Sequence, residues 1–178
     1  MGRPRHDPDN LIFLGVDASG TPGLAYYGRV DGQHVAHGER VESLVDVGHC
    51  AALRTLEYLP SRVRVVAAVE YPPAGLHGAG TVRFAANLIL AAIKDRLPRR
   101  VEVHKPTPTT WQARILGDRR TYLDTKVASL LAAHPIAGRP IATDDEADAW
   151  CLARWAELHV SPDIPQVPLR RGAKGARG

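Results

Sequence analysis

The apolar positions of the chain fall into runs of two kinds. Ile12-Phe13-Leu14-Gly15-Val16 is continuously apolar or small, the pattern of a strand covered on both faces, and it runs directly into Asp17. Strands are predicted over 11–17, 23–30 and 33–40, the last two joined by Asp31-Gly32, a two-residue hairpin signal, so the chain opens as an antiparallel meander. Residues 43–59 place Leu44, Val47, Ala51, Leu53 and Leu56 at helical spacing before Pro60, which predicts one helix. Residues 62–70, RVRVVAAVE, form a β-branched run that predicts a fourth strand, and it too ends on an acid. The loop YPPAGLHGAG leads into a long helix over 81–97; residues 101–104 make a short fifth strand, and helices are predicted over 109–116, 122–133 and 144–159. Three strands, a helix, a strand, a helix, a strand and then helices is a mixed α/β order without internal repeats.

Composition narrows the class. At 178 residues, 44% hydrophobic and 24% charged, the chain fits one globular domain over 11–160, with a flexible N-terminus over 1–10 and a basic, Pro- and Gly-rich tail over 161–178 that is expected to be disordered. No apolar run approaches the ~18 residues of a membrane span, and the opening MGRPRHDPDN has no apolar core of a signal peptide, so the expectation is an intracellular, cytoplasmic protein with no membrane partner. Cys50 and Cys151 stand far apart and outside any C-x-x-C, the pattern of two buried thiols. His34 and His37 are three apart on a strand and therefore face opposite ways, which argues against a paired metal site. The formal net charge of +4 makes an anionic partner plausible.

The acids carry the chemistry. Asp17 closes the first strand, Glu70 closes the fourth, and Asp144, Asp145 and Asp148 open the last helix. Thr143 as N-cap with Glu146 three residues on reads as a capping box, which puts Asp145 and Asp148, at i and i+3, on one helix face; Ala147, Ala149 and Cys151 are small enough to let that helix lie close to a sheet. Taken singly, each acid has an ordinary role: a turn-former, a strand end, a helix-dipole partner. Their joint occurrence is what those roles do not explain. Several carboxylates converging from different elements suit Mg²⁺ or Mn²⁺, and two such ions roughly 3.5–4 Å apart can serve the attacking and leaving oxygens of a phosphodiester.

On these motifs the chain resembles the RuvC family of Holliday-junction resolvases in the ribonuclease H-like superfamily, from about residue 11 to 159. LGVDASGTPGLAYYGRV is similar to the family's opening strand and hairpin, VVAAVEYPPAG to its second acidic strand, KPTPTTWQARILG to a helix ending in Gly, and DDEADAWCLARWA to the D-x-x-D-A start of its final helix. The resemblance implies a ribonuclease H-like mixed five-stranded sheet flanked by helices. It further implies a metal-dependent endonuclease that resolves four-way junctions by paired phosphodiester hydrolysis in DNA recombination and repair. Asp17, Glu70, Asp145 and Asp148 would be the catalytic and metal-binding residues, holding two Mg²⁺ or Mn²⁺ ions. The chain departs from the family in carrying Ala18-Ser19-Gly20 where Pro-Gly is usual, and an extra Asp144. On the loop where the family places an unstacking aromatic, only Tyr71 and His77 are available. The family's lysine in the penultimate helix is best matched by Lys126. Arg83, Lys105, Arg114, Arg119, Arg120 and Lys126 fall in segments expected around the acids and are, with Tyr71 and His77, the candidate DNA contacts.

The helix over 81–97 is apolar almost all round, the pattern of a buried central helix; the resemblance supplies a second role, a homodimer seam along 85–93. Other readings remain. GVDASGTPGLAYY also resembles the first phosphate loop of actin-like and sugar-kinase ATPases, which need two such domains, and a shorter YqgF-type relative acts on RNA. A junction-binding module with a dead site is disfavoured because all four acids are present.

Overall fold

The computed structural model describes residues 7–73, 75, 79–117 and 121–160. Strands β1 (Leu11–Asp17), β2 (Gly23–Val30) and β3 (Gln33–Arg40) form the expected meander. Asp31 and Gly32, at φ 52° and 75°, make the left-handed two-residue turn that matches strand twist. Helix α1 (Ala51–Tyr58) leads to β4 (Arg64–Val69), α2 (Ala79–Arg96) to β5 (Val101–His104), and α3 (Pro108–Ile115), α4 (Tyr122–Ala137) and α5 (Asp144–Val160) follow. The sheet has the order β3-β2-β1-β4-β5; β1 pairs antiparallel with β2 and parallel with β4, which pairs parallel with β5. This is the mixed five-stranded sheet flanked by helices that the motifs imply.

Every residue of β1 is buried, because helices cover both faces of the sheet. One core joins Ile12, Leu14 and Val16 to α1 and α2; the other joins Phe13 and Ala25 to Trp111 of α3 and to the Ala-rich face of α5. Glycine sets how near α5 comes. A Cβ on Gly15 would lie 1.9 Å from the carbonyl oxygen of Ala149, and one on Gly23 1.9 Å from that of Asp145. The opening of α5 is thereby pressed onto the ends of β1 and β2.

Four expectations change in detail. The helix over 43–59 divides into a 3₁₀ turn, Leu44–His49, and α1, with Cys50 extended between them. Cys50 gives α1 no side-chain cap, but Glu39 of β3 accepts from the amide of Ala52 at 2.5 Å, an acid at a helix N-terminus supplied by a neighbouring strand. Helix α4 runs four residues past 133, carrying Pro135 in its last turn, and closes on Gly138 at φ 65°. Thr143 does cap the amide of Glu146, at 3.2 Å, but the Glu146 carboxylate accepts from Arg139 and Trp150. Finally, the 85–93 run of α2 does not face outward as a whole: Ala85, Ala86, Ile89, Leu90 and Ile93 are buried in the chain's own core, and Phe84 and Leu88 point outward. The 161–178 tail and residues 1–6 of the N-terminus lie outside the described residues. Among the described residues no helix is long and apolar enough to cross a membrane.

Candidate metal centre and its basic surround

Parallel pairing of β1 with β4 sets Val16 opposite Val69, and the amide of Glu70 donates to the carbonyl of Val16 at 2.9 Å, so Asp17 and Glu70 leave adjacent strand ends together. Helix α5, resting on Gly15 and Gly23, brings Asp145 and Asp148 to the same place. The electrostatics show the meeting. Burial pushes the Asp17 carboxyl well above the ordinary carboxylate range, and the charges of Glu70, Asp148 and Asp145 push it further. Glu70 and Asp148 are raised for the same reasons, burial first, and Lys126 opposes the shift at all three. The penultimate-helix lysine is therefore at the acids, where it also pairs with Asp144 and lies over the Tyr122 ring.

Each acid has a protein partner or lacks one in an informative way. Glu70 accepts from the indole N–H of Trp111, itself fully buried, at 2.6 Å. Asp145 Oδ2 accepts from the Thr21 hydroxyl at 3.2 Å and faces Arg40 Nε at 3.4 Å. Asp148 Oδ1 is enclosed without a hydrogen-bond donor. Ser129 sits beside Asp148 and lowers its pKa, though its own hydroxyl oxygen is also unpaired. Among the described residues no three His, Cys, Asp or Glu side chains converge tightly enough to hold an ion in the conformations seen. The donor set still fits a hard divalent cation: four carboxylates from three elements, one with an orphaned buried oxygen, and three ionised only at a cost.

Basic and aromatic groups lie on two sides. Next to Glu70, Arg83 and Lys105 lie over the Tyr71 ring, 5.2 and 4.8 Å from its centre, and Arg83 and Asn87 approach its hydroxyl at 3.4 Å. Arg83 and Lys105 have no acidic partner among the described residues. On the other side an open cleft of about 590 Å³ is lined by Arg40, Tyr122, Lys126, Asp144 and Asp145 with neighbouring apolar groups. Arg114 is placed elsewhere, donating to the carbonyl of Leu158 in the last turn of α5. His77, Arg119 and Arg120 lie outside the described residues. Trp111, Arg40, Thr21 and Ser129 were not singled out from the sequence. An indole needs a buried partner, but nothing in PTPTTWQARILG says which acid it is.

The sheet order, with a final helix laid across β1, is that of a ribonuclease H-like fold. Among solved structures, the chain is similar to Thermus thermophilus RuvC, at a TM-score of 0.56 and 20% identity over 80% of this chain and 90% of that one. T. thermophilus RuvC in complex with a Holliday junction substrate matches at a TM-score of 0.55 and 17% identity, with the same coverage. No protein-family model and no curated protein matches the chain.

Proposed function

We infer that the protein is a divalent-metal-dependent endonuclease acting on branched DNA, the four-way junction above all. The observation that carries this is the placement of Glu70, Asp145 and Asp148 around the buried Asp17, where burial first and repulsion by the other acids next make full ionisation costly. Mg²⁺ or Mn²⁺ held by Asp17, Glu70, Asp145 and Asp148 would supply an activated water and neutralise charge at the leaving oxygen. The chain's own groups do the rest. Trp111 orients Glu70, Lys126 moderates the acidic field, and Tyr71, Arg83 and Lys105 offer a cationic, aromatic surface to a phosphate and an unstacked base. A fold shared with T. thermophilus RuvC in complex with a Holliday junction substrate supports the substrate class. Two copies paired through the outward face of α2 would present two such sites to two strands of like symmetry.

The test is cleavage by the intact chain, in Mg²⁺, of a four-way junction, a flap, a replication fork, linear duplex and a structured RNA. Preferential, symmetric incision of the junction is expected. Preference for RNA would move the chain to an RNA-processing role, and ATP turnover without nuclease activity would overturn the nuclease reading.

A further inference from the structure

Arg40 is the last residue of β3, the edge strand, and is paired in register with Gly23, the residue on which the start of α5 rests. Its guanidinium projects into the open cleft beside Lys126, with 38% of the side chain exposed. Its ion-pair partner among the described residues is Asp145, by way of Oδ2, the oxygen that also accepts from Thr21. One carboxylate oxygen of the candidate metal centre thus stands at ion-pair distance from a partly exposed arginine.

That arrangement has a consequence for both partners. A cation taken up at Asp145 competes with Arg40 for the same negative charge, and Arg40 Nε, the donor that faces Oδ2, is freed for a phosphate when a cation takes over that charge. We propose that Arg40 is a phosphate-binding residue held in reserve by Asp145, so that metal uptake by the acids and capture of the DNA backbone in the Arg40–Lys126 cleft favour each other. The proposal rests on the nuclease reading and adds a residue and a coupling that the acid motif does not contain. The coupling is reciprocal, because two ligands that each release the same internal ion pair raise each other's affinity by the same factor. A planar guanidinium suits the role, since it can exchange a carboxylate for a phosphate without changing its own charge.

The experiment separates the two halves of the exchange. Mn²⁺ binding to the protein without DNA is measured by paramagnetic resonance for the wild type, Arg40→Ala, Arg40→Gln and Asp17→Asn. Affinity for an immobile four-way junction built from oligonucleotides is measured in EDTA and again in Ca²⁺. Arg40→Ala and Arg40→Gln are expected to bind Mn²⁺ more tightly, by about twofold to fivefold, because a half-exposed competing ion pair is gone. Both are expected to change junction affinity by less than about twofold in EDTA, where Arg40 is occupied. In Ca²⁺ they should weaken it about tenfold, the scale of one charge-assisted hydrogen bond. Unchanged or weaker Mn²⁺ binding, or the same loss of junction affinity in EDTA as in Ca²⁺, would refute the exchange while leaving the metal centre intact. Equal Mn²⁺ binding by the wild type and Asp17→Asn would instead remove the metal centre, and this proposal with it.

Discussion

Asp17 is costly where it stands. Its side chain is buried at the end of a strand covered on both faces, and three other carboxylates raise its pKa alongside burial. A carboxyl whose folded pKa lies above its unfolded value of about 3.9 stabilises the fold relative to its ionised state below that pH, and the contribution is lost as pH rises through the folded pKa. Glu70 and Asp148 act in the same direction. Asp17→Asn should therefore stabilise the metal-free protein at pH 8 by about 1–3 kcal/mol, the scale of an uncompensated buried polar group, raising the unfolding midpoint by roughly 2–4 °C per kcal/mol. At pH 4 the difference should largely vanish. Thermal unfolding in EDTA at both pH values checks this, and an equal effect at both would show that the acid bears no excess charge cost. The acid itself was legible in the sequence, because an apolar run ending on Asp is a local pattern. Of its surroundings, Glu70, Asp145, Asp148 and Lys126 were reached through the family resemblance, whereas Arg40 and Trp111 reach the site through tertiary contacts that no local pattern encodes.

At the scale of elements, periodicity placed β1, β2, β3 and β5 at their observed bounds, because β-branched and apolar alternation ends where Gly, Pro or Asp intervenes. It failed where a side chain from another element intervened. Glu39 takes over the first turn of α1, so a helical pattern over 43–59 becomes a 3₁₀ turn and a shorter helix. Helix α2 shows a different limit: a helix apolar all round announces burial without saying which face meets the chain's own sheet. The structure gives Ala85, Ile89 and Ile93 to the core and leaves Phe84 and Leu88 outside, 62% and 42% exposed. If two copies pair through that outer face, light scattering should give a mass near twice 19.3 kDa, and Phe84→Glu should halve it without lowering the unfolding midpoint of the monomer. A wild-type mass of one chain at high concentration, with full junction cleavage, would rule the pairing out.

For the molecule as a whole, the mixed sheet was legible because the order of elements allows few topologies, and a meander followed by two crossovers places β1 at its centre. The site follows from that centrality: β1 and β4 end side by side, and two glycines admit α5 across them. The register at the start of α5 decides which acids join the site: Asp144 pairs with Lys126 at the cleft, while Asp145 and Asp148 act on the buried acids. The decisive measurement is the single-turnover rate of four-way-junction cleavage in Mg²⁺ for Asp17→Asn, Glu70→Gln, Asp145→Asn, Asp148→Asn and Asp144→Asn. The first four should each fall by at least about 10²-fold, the loss that follows removal of one preorganised electrostatic group, while Asp144→Asn retains activity within about tenfold. Normal cleavage by Asp145→Asn with a dead Asp144→Asn would shift the site by one residue, and normal cleavage by all five would contradict the metal-dependent nuclease itself.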